Sequence, residues 1–161
     1  MKKKEAILIL ENIRSAQNVG ALFRTADAAG ISKIFLVGYT PDPVDRFNRA
    51  RGDIAKAALG AEKTIVWEHA KTIAPLLKKL RKEGCEIIAI EQAESSVDYK
   101  RVARKARHPK TAFILGNEVS GVSKQAFSLS DIVAEIPMKG KKESLNVSVA
   151  GGIALFRMLN I

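Results

Sequence analysis

Short apolar runs alternate along the chain with segments whose apolar residues recur at helical spacing. The runs AILIL (6–10), KIFLVG (33–38), TIVW (64–67), EIIAI (86–90), TAFILG (111–116) and IVAEI (132–136) are rich in β-branched residues and continuous rather than alternating. That is the pattern of strands buried on both faces. Helical patterns fall between them at 18–29, 50–58, 70–83, 122–129 and 144–159. The alternation predicts an α/β fold with a mainly parallel six-stranded sheet flanked by helices, and residues 1–161 as a single domain.

Three places in this pattern suggest a site. The segment 144–159 is apolar nearly all round, with Leu145, Val147, Val149, Ala150, Ile153, Ala154, Leu155 and Phe156. Such a helix needs cover on more than one side, the sheet on one and a second copy of the chain on the other. Ser144 is the expected N-cap, at the end of a basic loop carrying Lys139, Lys141 and Lys142, and free amides of a helix start can receive a ligand's polar groups. In the first connection, Asn18 is the expected cap and Gly30 the stop of a helix that packs through Leu22, Ala26 and Ala29. Arg24 falls beside that packing face, and read alone it is an ordinary surface arginine. Gly116 and Gly121 bracket Glu118 where the fifth run gives way to a helix, at a strand's carboxyl end, where ligands of open α/β sheets lie. The segment matches neither GxGxxG nor the phosphate loop.

Charge adds a partner to the picture. The 27 Lys and Arg against 17 acidic residues give a formal net charge of +10, and the residues are 47% hydrophobic, as in a globular protein. This excess favours a polyanionic partner, or else a merely solubilising face. The stretch Tyr99 to Lys110, dense in Lys and Arg, is the best candidate for a sequence-independent phosphate footprint. The long loop 38–53, with Arg46, Arg49 and Arg51, is either a second phosphate contact or a solvated loop. One cysteine, Cys85, and two unpartnered histidines, His69 and His108, suggest no metal centre. No run is long enough to span a membrane and Ala6–Leu10 is too short for a signal peptide, so a cytoplasmic protein is expected.

The segments NVGALFRTADAAG (18–30), FILGNEVSGVS (113–123) and IPMKGKKESLNVSVAGGIALF (136–156) together resemble the three motifs of the SpoU (TrmH-like) family of SPOUT RNA methyltransferases. The resemblance implies S-adenosyl-L-methionine as methyl donor, the ribose 2′-hydroxyl of tRNA or rRNA as acceptor, and no metal. It also implies a C-terminal trefoil knot over about 111–161 and a homodimer with shared active sites. Carried over, the catalytic positions are Asn18, Arg24, Glu118, Ser144 and Asn146. The cofactor-binding positions are Ile90, Gly116, Ile136, Met138, Ser144 and Leu145. Arg24 is the family's usual candidate for activating the hydroxyl; a guanidinium is a donor and not a base, so a clamp on a phosphate that itself takes the proton is the alternative. Two rival classes stay open: a catalytically idle RNA-binding module, and a nucleotide-dependent enzyme of another kind.

Overall fold

The computed structural model describes residues 5–105 and 108–161, and for 103–105 the backbone alone. The elements run β1 (Glu5–Glu11), α1 (Ala16–Ala28), β2 (Lys33–Val37), α2 (Gly52–Ala58), α3 (Ala61–Thr64), β3 (Val66–Ala70), α4 (Ile73–Lys82), β4 (Glu86–Ile90), β5 (Val97–Asp98), α5 (Tyr99–Lys105), β6 (Lys110–Leu115), α6 (Lys124–Leu129), β7 (Ile132–Glu135) and α7 (Val147–Leu159). The strands form one sheet in the order β3-β2-β1-β6-β4-β7-β5, with every pair parallel.

Side-chain alternation along the central strands sorts the core into two layers. Leu8, Leu10, Ile34, Leu36, Ile88, Ile90, Phe113 and Leu115 pack on one face with α1, α2, α3, α5 and α7. Ile7, Ile9, Phe35, Val37, Ile87, Ala112 and Ile114 pack on the other with α4, through Ile73, Leu76, Leu77 and Leu80, and with α6, through Ala126. Both faces are apolar, so the strands read as continuous runs.

The sheet has seven strands and not the expected six. The extra strand, β5, is two residues long and pairs at the edge with β7, too short to leave an apolar run. The expected strand at 64–67 and the expected helix from 70 are both displaced. Thr64 ends α3, β3 takes in Glu68 and His69, and α4 begins at Ile73. Being an edge strand, β3 leaves Val66 61% exposed, so polar residues are tolerated there and the apolar pattern fails.

Caps also differ from expectation. Ser15, not Asn18, caps α1, its hydroxyl accepting from the Asn18 amide at 3.2 Å. Asn146, not Ser144, caps α7, accepting from the Ser148 amide at 2.9 Å. Gly30 does close α1: with φ at 72°, it and Ile31 donate their amides to the carbonyls of Asp27 and Ala26. Among the described residues, no helix is long and apolar enough to cross a membrane.

Candidate active site

Insertion of β6 between β1 and β4, with β7 beyond β4, brings four strand ends together. After them come Asn12, the loop 116–123, Glu91 and Gln92, and the loop from Ile136 to Asn146. The last three enclose a cavity of about 300 Å³, and Asn12 holds the loop 116–123 from behind through Asn117. All six residues expected to hold a cofactor line it: Ile90, Gly116, Ile136, Met138, Ser144 and Leu145. Leu115, Val147 and Ala150 complete its apolar side; Glu91, Gln92, Asn117, Glu118, Ser120 and Asn146 supply polar groups.

The loop after β6 is closed by its own backbone and held from three directions. The Asn117 and Gly121 amides donate to each other's carbonyls at 3.0 and 2.9 Å. The Asn117 side chain, with its residue 7% exposed, accepts from the Val119 and Ser120 amides and donates to the Asn12 carbonyl and the Tyr39 hydroxyl, each at 2.9 Å. Glu91 accepts from the Val122 amide at 2.9 Å, and the buried Glu11 from the Ser123 hydroxyl at 2.6 Å. Two glycines make this closure possible. A Cβ at Gly116 would lie 2.3 Å from the backbone of Gly121 and Val122, and Gly121, at φ +71°, would drive a Cβ into Glu91.

Glu118 ties this loop to the start of α1. Its carboxylate accepts from the amides of Arg14 at 2.9 Å and Ser15 at 3.0 Å, and from the Asn18 side-chain amide at 3.1 Å. Burial pushes the carboxyl upward, but the bonds from the Arg14 and Ser15 amides, from its own amide and from Asn18 outweigh that, leaving it below its ordinary value. The Asn146 side-chain amide donates to Asn18 Oδ1 at 3.2 Å while its carbonyl caps α7. Asn18, Glu118 and Asn146, from three distant parts of the chain, thus form one hydrogen-bonded chain beside the cavity.

The loop that leads into α7 is tied far more loosely before Asn146. Residues 139–146 are exposed, and Asn146 makes the only side-chain hydrogen bonds from 136–146 among the described residues. Ser144 lines the cavity without such a bond.

Arg24 is the predicted residue that this assembly does not gather. It is exposed and lines a separate groove with Ala21, Thr25 and Ala28 of α1, Ala57 of α2, and Gly152 and Phe156 of α7. Six residues along an α-helix turn a side chain by about 240° and carry it about 9 Å along the axis, so Arg24 leaves α1 on a different side from Asn18. Sequence reasoning missed Asn117, Glu91 and Glu11, although Glu11 ends β1, Glu91 directly follows β4 and Asn117 comes two residues after β6, all at carboxyl ends of strands, where ligands collect.

The basic stretch is only partly visible, since the side chains of Arg104, Lys105 and Arg107 lie outside the described residues. Lys110 is engaged at the amino end of β6, donating to Glu83 at 2.8 Å with Glu5 also close, which removes it from a free phosphate footprint.

Residues 5–156 match the sequence profile of the SpoU rRNA methylase family. Among similar proteins, a tRNA (guanosine(18)-2'-O)-methyltransferase of Escherichia coli (strain K12) is 28% identical over 155 residues, covering 96% of this chain and 63% of that protein. A 23S rRNA (guanosine-2'-O-)-methyltransferase of Ralstonia nicotianae is 33% identical over 150 residues, covering 93% of this chain and 56% of that protein. The crystal structure of an AdoMet-bound rRNA methyltransferase from Sinorhizobium meliloti superposes with a TM-score of 0.85 at 30% identity, over 98% of this chain and 57% of that one. The chain therefore spans less than two thirds of the length of these relatives.

Proposed function

The chain belongs to the SpoU rRNA methylase family, and from that premise we propose that it transfers a methyl group from S-adenosyl-L-methionine to a ribose 2′-hydroxyl of tRNA or rRNA. The observation that carries this reading is the cavity at the strand ends, closed on one side by the Asn18–Glu118–Asn146 chain. Its volume of about 300 Å³ lies at the lower end of small-molecule sites. Its lining suits the methyl donor: apolar side chains for an adenine ring, and backbone and carboxylate groups for a ribose and a cationic head.

In this reading the donor, when bound, supplies a methyl carbon on a sulfonium. Transfer to oxygen is an in-line displacement in which a carbon–sulfur bond breaks, a carbon–oxygen bond forms and the hydroxyl proton leaves. The protein's task is to align the hydroxyl and stabilise charge as it develops. Ile90, Gly116, Ile136, Met138, Ser144 and Leu145 hold the donor. Asn18, Glu118 and Asn146 fix the wall against which the nucleotide lies. Arg24, a permanent donor, holds a phosphate and the developing oxyanion while a phosphate oxygen accepts the proton.

Because Arg24 lies outside its own cavity, we take the active unit to be a homodimer in which a second copy brings its arginine to the cavity. The exposed apolar residues Val149, Ile153 and Phe156, at 48%, 39% and 38%, line up on one side of α7 next to the Arg24 groove and favour burial there. We further take residues 1–161 as one methyltransferase domain and about 111–161 as its trefoil knot. The late strand β6 lying between β1 and β4 supports that reading. The test is incubation with methyl-labelled S-adenosyl-L-methionine and total RNA, followed by mapping of the labelled nucleotide. Label in a 2′-O-methylated ribose is expected; label on a base, or none in RNA, overturns the reading.

A further inference from the structure

The connection from β2 to α2 holds an apolar ring in water where nothing in the fold requires one. Phe47 is 62% exposed at the tip of this loop, and Tyr39 at its start is 61% exposed. The tip is tightly built. Val44 and Ala50 form an antiparallel bridge, and the Arg51 amide donates to the Pro43 carbonyl at 2.9 Å. Within that bridge the Asp45 carboxylate accepts from the amides of Phe47 at 2.8 Å and Arg49 at 3.0 Å, and from the Arg49 side chain at 2.8 Å. The ring therefore projects from a turn whose backbone is fixed, at little cost in conformational entropy on binding.

Its surroundings are cationic. The guanidinium carbons of Arg46 and Arg49 lie 4.7 and 5.0 Å from the ring centroid. Arg49 is also paired with Asp45, whereas Arg46 has no acidic partner among the described residues. The base of the loop is tied to the elements that build the site. The Tyr39 hydroxyl accepts from Asn117, which lines the cavity. His69 of β3 sits between Asp42, 2.6 Å from Nδ1, and the Gly38 carbonyl, 3.0 Å from Nε2. At the far end α2 packs on α1, where Ala57 borders the Arg24 groove.

We infer that the loop between β2 and α2 is a stacking platform for an unpaired base of the RNA substrate, with Phe47 as its surface and Arg46 as the cation that meets the adjoining phosphate. The inference rests on the RNA-substrate reading above and adds to it a requirement for single-stranded or looped RNA. Bases inside an A-form duplex present no free face, whereas splayed bases stack on aromatic rings and guanidinium planes. A base stacks on the ring in place of the Arg46 guanidinium, which lies 4.7 Å from its centroid. Arg46, released, turns to the phosphate, while Arg49 stays on Asp45.

The test uses the full chain and fluorescence anisotropy with a short single-stranded oligoribonucleotide and its duplex, at several salt concentrations. Phe47→Ala should weaken binding of the single strand by roughly 5- to 150-fold, the range spanned by one base–aromatic stack, without changing the slope of log K against log salt. Duplex binding should be unchanged. Phe47→Tyr should bind like the wild type and Phe47→Leu like the alanine variant. Arg46→Ala should instead lower the salt slope by about 0.7.

Equal binding by wild type and Phe47→Ala overturns the inference, and so does full binding by Phe47→Leu. A change of particle mass in Phe47→Ala by light scattering also overturns it, by assigning the ring to a contact between copies. Methyl transfer by the wild type is followed in parallel. Transfer with no Phe47 effect removes the platform alone; single-strand binding through Phe47 without transfer removes the methyltransferase reading and leaves the platform.

Discussion

Two concave regions among the described residues are built on opposite plans. The cavity at the strand ends is a polar construction in which Glu11, Glu91, Asn117 and Glu118 tie one loop to the rest of the sheet edge. The groove across α1, α2 and α7 has small side chains, one exposed arginine and the rim of an apolar helix face. A ligand site needs fixed donors and acceptors, and the first region has them. A protein interface needs shallow relief and apolar area, and the second has those. In the proposed enzyme the donor site and Arg24 belong to different regions of one chain, and only a second copy unites them.

The largest effect should come from breaking that union. Arg24→Ala is expected to lower methyl transfer by about 10²- to 10³-fold, as loss of one preorganised charge donor does, with affinity for S-adenosyl-L-methionine unchanged by calorimetry. Leu145→Arg, at an exposed position of the cavity lining, should instead abolish donor binding. Neither variant alone should exceed about a hundredth of wild-type turnover. Refolded together in equal amounts, they should recover about a quarter of wild-type activity, since half the random dimers then carry one intact cavity facing one intact arginine. No recovery means that Arg24 acts within its own chain. A particle of 17.5 kDa by light scattering removes the premise altogether.

The next effect separates the regions by their glycines. A Cβ at Gly116 meets backbone at 2.3 Å, whereas one at Gly152, in the groove, meets nothing nearer than the Thr25 methyl at 3.7 Å. Gly116→Ala must push the loop off Glu91 and should cost about 3 kcal/mol, a fall in Tm of about 6–12 °C at this length, along with donor affinity. Gly152→Ala should leave the fold intact or more stable by about 1 kcal/mol, because alanine is the better helix former. If the two variants melt alike, the contrast between a closed cavity wall and an open groove is wrong.

The layered α/β core was legible because central strands buried on both faces leave continuous apolar runs, as in Ile87–Ile90 and Ala112–Leu115. Edges were not legible. β3 carries Glu68 and His69 because one of its sides is open, and β5 is too short to leave a pattern. The quoted motifs pointed to the residues that meet at the cavity, but sequence could not say that Asn146 rather than Ser144 would cap α7. Nor does local sequence show that Asn146 also reaches Asn18, 128 positions away. That Arg24 faces elsewhere was legible in principle, since six residues of helix turn a side chain to another side, but a motif records proximity along the chain and hides that turn. Glu11 and Glu91 escaped notice because their partners are backbone and hydroxyl groups of the loop 121–123, with no signature of their own.

The smallest expected effect tests whether hydrogen bonding or burial governs the carboxylate that joins the cavity to α1. At Glu118 burial alone would raise the carboxyl above its ordinary 4.5, yet the amides of Arg14, Ser15 and Asn18 bring it below that value. A carboxyl lowered in the folded state stabilises the fold fully above its unfolded value and loses that contribution as pH falls through its folded one. Glu118→Gln keeps one acceptor oxygen but turns an amide group toward amide donors. It should cost about 1 kcal/mol at neutral pH, discounted for the exposure of the site, and lower Tm by about 2–4 °C. The gap between wild type and variant in urea melts should then shrink as pH drops below 4.5. Particle mass should not change, because Glu118 belongs to the cavity and not to the groove. A gap that widens in acid would mean that the protonated carboxyl is the favoured form and burial dominates. The tie between the two halves of the cavity would then be a neutral one, and the loop 116–123 would owe its position to Asn117, Glu11 and Glu91 alone.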